Sequence, residues 1–126
     1  MRRLLGLALV TGLLACAGGS TPAQDISPEE LLTLAASANP PLILDVRSAD
    51  EYEHGHVPGA VNIPHDQVAA RLAELDKNPS RDIVVYCESG HRAGMALAEL
   101  RDSGFENTRH LAGDMAAWRA AGRATE

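Results

Sequence analysis

Aromatic residues are scarce in this chain, at 3% of 126 residues, so Trp118 and Phe105 are assigned to the core. Cysteine is scarcer still, with only Cys16 and Cys87. Basic residues are outnumbered, 11 against 17 acids, for a formal charge of −6; removal of Arg2 and Arg3 with a leader would take it to −8. An excess of acid on this scale argues against nucleic acid and anionic membrane surfaces as partners. Long hydrophobic runs are missing too: the stretch from Leu4 to Leu14 is too short to span a bilayer as a mature helix. No internal repeat or low-complexity run follows it.

Met1-Arg2-Arg3 followed by that apolar stretch fits an export signal, so residues 1–15 are read as a signal peptide. Its end, Leu13-Leu14-Ala15-Cys16, resembles the bacterial lipobox, in which the cysteine is lipidated and becomes the new N-terminus. Ordinary cleavage after Ala15-Cys16-Ala17 satisfies the small-x-small rule and stays open as the alternative. In either event Cys16 is acylated or removed, leaving Cys87 as the only free thiol and no intramolecular disulfide. Both routes place the chain on the periplasmic side of the envelope, lipid-anchored in the first and soluble in the second. Residues 16–25 are small, polar and breaker-rich, as a flexible tether requires. The domain is expected over 26–126, and about 100 residues suffice for a self-sufficient core.

Ser27-Pro28-Glu29-Glu30 combines a serine cap, proline at the first helical position and glutamate three residues after the cap, predicting a helix to about Ser37. Leu42 to Val46 is an apolar run broken by one acid, the pattern of a strand covered on both faces. Ser48 and Glu51 form a second capping box, opening a short helix that stops at Gly55. Ala60 to Ile63 reads as a strand, and Val68, Ala69, Leu72 and Leu75 repeat at helical spacing. Ile83 to Tyr86 is the strongest strand. A helix from near Arg92 to Gly104, a short strand over 109–111 and a helix from Asp114 to Ala121 complete the chain. This alternation implies an α/β fold, a mainly parallel sheet of about four to five strands flanked by helices on both faces. In such sheets the chemistry sits at the carboxyl ends of the strands, which directs attention to the loop after Tyr86.

That loop reads Cys87-Glu88-Ser89-Gly90-His91-Arg92. Successive amides in a tight loop can point inward as a nest, and the helix that follows adds the positive end of its dipole. Both favour an anionic sulfur on Cys87. Gly90 supplies a position free to take positive φ, and Arg92 is expected to close the ring as a permanent cation. The amides of Glu88 to Arg92 form the expected anion cradle.

Asp45-Val46-Arg47, Glu51-Tyr52, Gly55-His56-Val57-Pro58-Gly59-Ala60, Asn62-Ile63-Pro64, the Cys87 to Arg92 loop, Gly104-Phe105 and Ala117-Trp118 stand in the order and spacing of rhodanese homology domains. The chain resembles that family from about Ser27 to its C-terminus. The resemblance implies the rhodanese-like fold and a sulfurtransferase in which Cys87 takes a sulfane sulfur as a persulfide. The donor would be a small sulfur-containing anion such as thiosulfate; the acceptor would be cyanide, a thiol or a protein. No cofactor is implied, and the membrane is involved only through a possible N-terminal lipid. Counting Cys87 through Arg92 gives the six-residue loop of family members that act on sulfur, whereas the related dual-specificity phosphatases use a longer one. A phosphatase or arsenate reductase is accordingly the weaker alternative, and a non-catalytic persulfide carrier or redox sensor the stronger one.

Two departures from the family pattern bear on this reading. Glu88 places an acid where many thiosulfate-using relatives carry a neutral or basic residue, so the mouth is expected to repel a dianion. Asp114 stands where a second glycine is usual, and is expected to tolerate the turn and cap the helix starting at Met115.

Asp45 and Arg47, at the end of the first buried strand, suit an ion pair or hydrogen bonds shaping the site floor. His54, His56 and His65 raise the question of a metal site, but His56 falls inside the Gly-His-x-Pro-Gly-Ala turn as a structural residue and His54 is expected at the surface, so no metal is expected. His91 is expected either to contact donor or acceptor or to face solvent.

Overall fold

The computed structural model describes residues 25–126, so the signal, Cys16 and all of the tether but Asp25 lie outside the described residues. Helix α1 (Pro28–Ala35) begins where the sequence places it, with the Ser27 hydroxyl accepting from the Glu30 amide at 3.1 Å. Glu30 does not complete the reciprocal half of the box; its carboxylate faces Arg109 instead. At α2 (Ala49–Glu53) the box is complete, with Glu51 reaching back to the Ser48 amide.

Strands β1 (Leu42–Asp45), β2 (Val61–Asn62), β3 (Ile83–Tyr86) and β4 (Thr108–His110) form one parallel sheet in the order β2-β1-β3-β4. Ile26 adds an isolated parallel bridge to Leu111 beyond β4. Helix α3 (His91–Asp102) follows β3, and α4 (Asp114–Ala120) follows β4. At the end of α3 the Gly104 amide donates to the Arg101 carbonyl and the Phe105 amide to the Leu100 carbonyl. This reciprocal closure uses the left-handed conformation of Gly104, φ +95°.

Alternation along β1 and β3 divides the core in two. Leu44, Ile83, Val85 and Cys87 face α3, together with Ile63, Val68 and Phe105. Ile43, Val84 and Tyr86 face α1 and α4, where they meet Leu31, Met115 and Trp118. Both sheet faces are therefore covered, which explains why these strands read as continuous apolar runs.

The segment over 68–75 differs from expectation. It is not an α-helix but two short 3₁₀ pieces, His65–Gln67 and Ala69–Glu74, with a kink at Arg71 (φ −118°, ψ 22°). Three residues per turn align 69, 72 and 75 on one side, so Leu72 and Leu75 reach the core as well as an α-helix would bring them. Asp114 also departs from its expected role. It adopts φ +54°, as the turn demands, but Gly113 is the cap residue of α4 and the Asp114 carboxylate makes no cap hydrogen bond.

Candidate active site

Cys87 follows β3 directly, and its carbonyl accepts from the Met115 amide, tying the loop to α4. Its Sγ accepts from the Gly90 amide at 3.0 Å and the Ala93 amide at 3.4 Å, and the residue is 1% exposed. Two N–H groups aimed at one sulfur form a nest suited to an anionic ligand atom. The cradle is thus narrower and more C-terminal than the loop sequence implies, since Ala93 belongs to the first turn of α3. Gly90 makes the curl with φ +108°.

The remaining loop side chains disperse. Ser89 and His91 are exposed. Arg92 does not close the ring around the sulfur. Its guanidinium forms a two-pronged pair with Glu51 of α2, at 2.7 and 3.1 Å. This pair, against the cost of burial and with help from Ser48, lowers the Glu51 carboxyl from its ordinary 4.5 to about 2. The same carboxylate that caps α2 therefore clips α2 to the start of α3.

Glu88 is likewise not the free acid that the sequence suggests. Its carboxylate is held by Arg119 of α4 at 2.9 and 3.0 Å, and Arg47 Nη1 lies 3.8 Å away. The hydrogen bonds from Arg119 hold its carboxyl below the usual range. With its charge shared between two guanidinium groups, Glu88 repels an incoming anion far less than a bare carboxylate would. A cleft of about 510 Å³ opens here, lined by Arg47, Glu51, Gly55, Glu88, Met115 and Arg119 among others.

Beneath it, Asp45 and Arg47 form the expected pair, 0% and 2% exposed. Arg47 Nη2 donates to Asp45 Oδ2 at 2.7 Å and to the Gly55 carbonyl at 2.8 Å. Burial opposes the Arg47 charge, but the Asp45 hydrogen bonds and charge outweigh it and hold the guanidinium firmly protonated. The Tyr86 hydroxyl donates to Asp45 Oδ2 at 2.8 Å and accepts from the Val57 amide at 3.0 Å. Burial, reinforced by the Asp45 charge, pushes the Tyr86 phenol well above its usual range. His56 is structural in the sense expected: its ring stacks on Tyr52 at 3.7 Å and its Nδ1 is bonded to the Tyr52 carbonyl.

The roles of Ala93, Tyr86, Arg119 and His110, and the bonds of Asp114 to His110 and the Cys87 amide, were not legible in the sequence. Only Asp114 carried a signal, as an acid where glycine is usual.

The sequence profile of the rhodanese-like domain family matches residues 27–121. A sulfurtransferase of Allochromatium vinosum is 33% identical over 75% of this chain and 87% of its own length. An HTH-type transcriptional regulator of Mycobacterium tuberculosis is 39% identical over 95% of this chain, which spans 56% of that relative's length. Among solved structures, the Alr3790 protein of Anabaena sp. superposes with a TM-score of 0.72 at 34% identity, covering 80% of this chain and 81% of that one.

Proposed function

Because this chain belongs to the rhodanese-like domain family, we propose that it is a sulfurtransferase that carries sulfane sulfur on Cys87. The observation that carries the reading is the Cys87 Sγ, set at the end of a central strand and held by the amides of Gly90 and Ala93. The similarity to the Allochromatium vinosum sulfurtransferase, over most of both chains, supports the same conclusion.

With thiosulfate as donor, the Cys87 thiolate attacks the outer sulfur. An Sγ–S bond forms, the S–S bond of the donor breaks, and sulfite leaves with the bonding electron pair. The persulfide left on Cys87 ends in an anionic sulfur, which the same N–H groups suit. Cyanide, as acceptor, then attacks the terminal sulfur; a C–S bond forms, the Sγ–S bond breaks, and the electron pair returns to Sγ as thiolate. Two half-reactions through one covalent intermediate give ping-pong kinetics. Arg47 and Arg119 share the Glu88 carboxylate at the cleft, so an anionic donor meets a charge-balanced mouth rather than an acidic one.

The test is intact mass after incubation with thiosulfate, followed by addition of cyanide. The expected result is a gain of one sulfur atom and then thiocyanate, both abolished in Cys87→Ser while the fold is retained by circular dichroism. Loading without thiocyanate would instead indicate a persulfide carrier. Undiminished transfer by Cys87→Ser would remove the proposal.

A further inference from the structure

Among the described residues, Asp114 is the only non-glycine with positive φ, at +54°. It is 3% exposed, and its carboxylate is spent on two neighbours rather than on its own helix. Oδ1 accepts from the amide of Cys87 at 3.0 Å. Both oxygens lie against His110 Nε2, at 2.9 and 3.0 Å. Oδ2 stands 3.1 Å from the place a Cβ on Gly90 would occupy. One buried carboxylate therefore binds the backbone of the nucleophile and an imidazole, in the space that the missing Cβ of Gly90 leaves open. A left-handed backbone at a buried acid with such partners points to a task for that side chain.

We propose that Asp114 is a positioning residue for Cys87, and that His110 is the counter-ion that lets a carboxylate stand beside an anionic sulfur. Alone, the carboxylate would hold the Cys87 amide but oppose negative charge on the sulfur through a poorly screened interior. Paired with a protonated imidazole, it keeps the hydrogen bond and loses most of that opposition. The hydrogen bond that His110 donates to Asp114, partly offset by burial and aided by the charges of Asp114 and Asp25, favours its protonated form. Asp25, from the segment before α1, is exposed and lies 3.5 Å from His110 Nδ1. Of the other charges around the loop, Arg92 acts on Cys87 but is paired with Glu51, and Glu88 is paired with Arg119. His110 and Asp114 are thus a charge pair hydrogen-bonded to the backbone of the nucleophile.

The purpose of the pair rests on the sulfurtransferase reading, but its test does not. Alkylation of Cys87 by iodoacetamide, followed at the Cys87 peptide by mass in the full chain, reports the anionic sulfur as a function of pH. His110→Gln is expected to displace the alkylation profile to higher pH by about one unit and to slow the reaction about tenfold near neutrality. His110→Gln with Asp114→Asn removes the unbalanced charge while keeping an acceptor for the Cys87 amide, and is expected to recover most of the loss. Asp114→Gly suits the backbone and deletes the acceptor, so alkylation should slow while the domain stays folded by circular dichroism. An unshifted profile in His110→Gln, a double variant no faster than His110→Gln, or full-rate alkylation in Asp114→Gly would overturn the inference. Absence of sulfur loading in the parent chain, with alkylation shifting as stated, would remove the sulfurtransferase reading and leave the positioning pair standing.

Discussion

At Gly90 the backbone turns through φ +108° while its amide points at the sulfur, and a Cβ there would press on Asp114 Oδ2 at 3.1 Å. Gly90→Val should therefore cost on the order of 1–3 kcal/mol of local strain and lose most sulfur transfer without unfolding the domain. Parallel thiocyanate assays and thermal melts check this, and unchanged turnover would show that loop curvature is not required. At this scale the sequence was informative where the chemistry resides in residue type. Cys87 and Gly90 could be found because a thiol and a missing Cβ are properties of the letters themselves. Ala93 could not, because its contribution is a backbone N–H that nearly any residue would supply. Arg92 was misplaced for a related reason: a permanent cation beside a thiol looks like its partner until a carboxylate from another element is seen to hold it.

Helix α2 is only five residues long, and a helix this short has little stability of its own. Its capping residue, Glu51, lends it a second anchor by pairing with Arg92 at the start of α3. The Glu51 carboxyl is lowered in the folded chain from 4.5 to about 2, so the protonated form is favoured by unfolding. The stability it contributes is present above its ordinary value and is lost as pH falls from about 4.5 toward about 2. Solvent reaches this pair, which keeps the effect modest. Glu51→Gln is expected to melt at lower temperature at neutral pH and to show a flatter fall in Tm over that acid range; a parent-like slope would exclude Glu51 as its source. Both N-terminal caps were legible, since serine at the cap and an acid three residues on are local features. The 3₁₀ character of residues 69–74 was not, because the leucines reach the core with either period.

Tyr86 joins parts of the molecule that no local pattern connects. It ends β3, its ring packs with the α1 and α4 side of the core, and its hydroxyl links Asp45 at the end of β1 to the amide of Val57. Tyr86→Phe leaves that amide without its partner in a buried setting and removes one of the hydrogen bonds to Asp45. It should destabilise the chain by about 1–3 kcal/mol, read as a lower midpoint in urea with unchanged slope. A midpoint equal to the parent's would mean that water replaces the hydroxyl. The parallel sheet and its two covered faces were legible because burial on both sides leaves continuous apolar runs. Tyr86 was not assigned its bridging role, since a tyrosine ending an apolar strand reads equally well as ordinary core. The margins of this sheet have a consequence of their own. On one side β2 is two residues long, and on the other the outer edge of β4 and Leu111 is capped by Ile26, whose amide donates to His110 and whose carbonyl accepts from Ala112. Among the described residues neither border offers a long row of unsatisfied backbone groups to a neighbouring copy, so this sheet gives little purchase for strand-by-strand aggregation when concentrated.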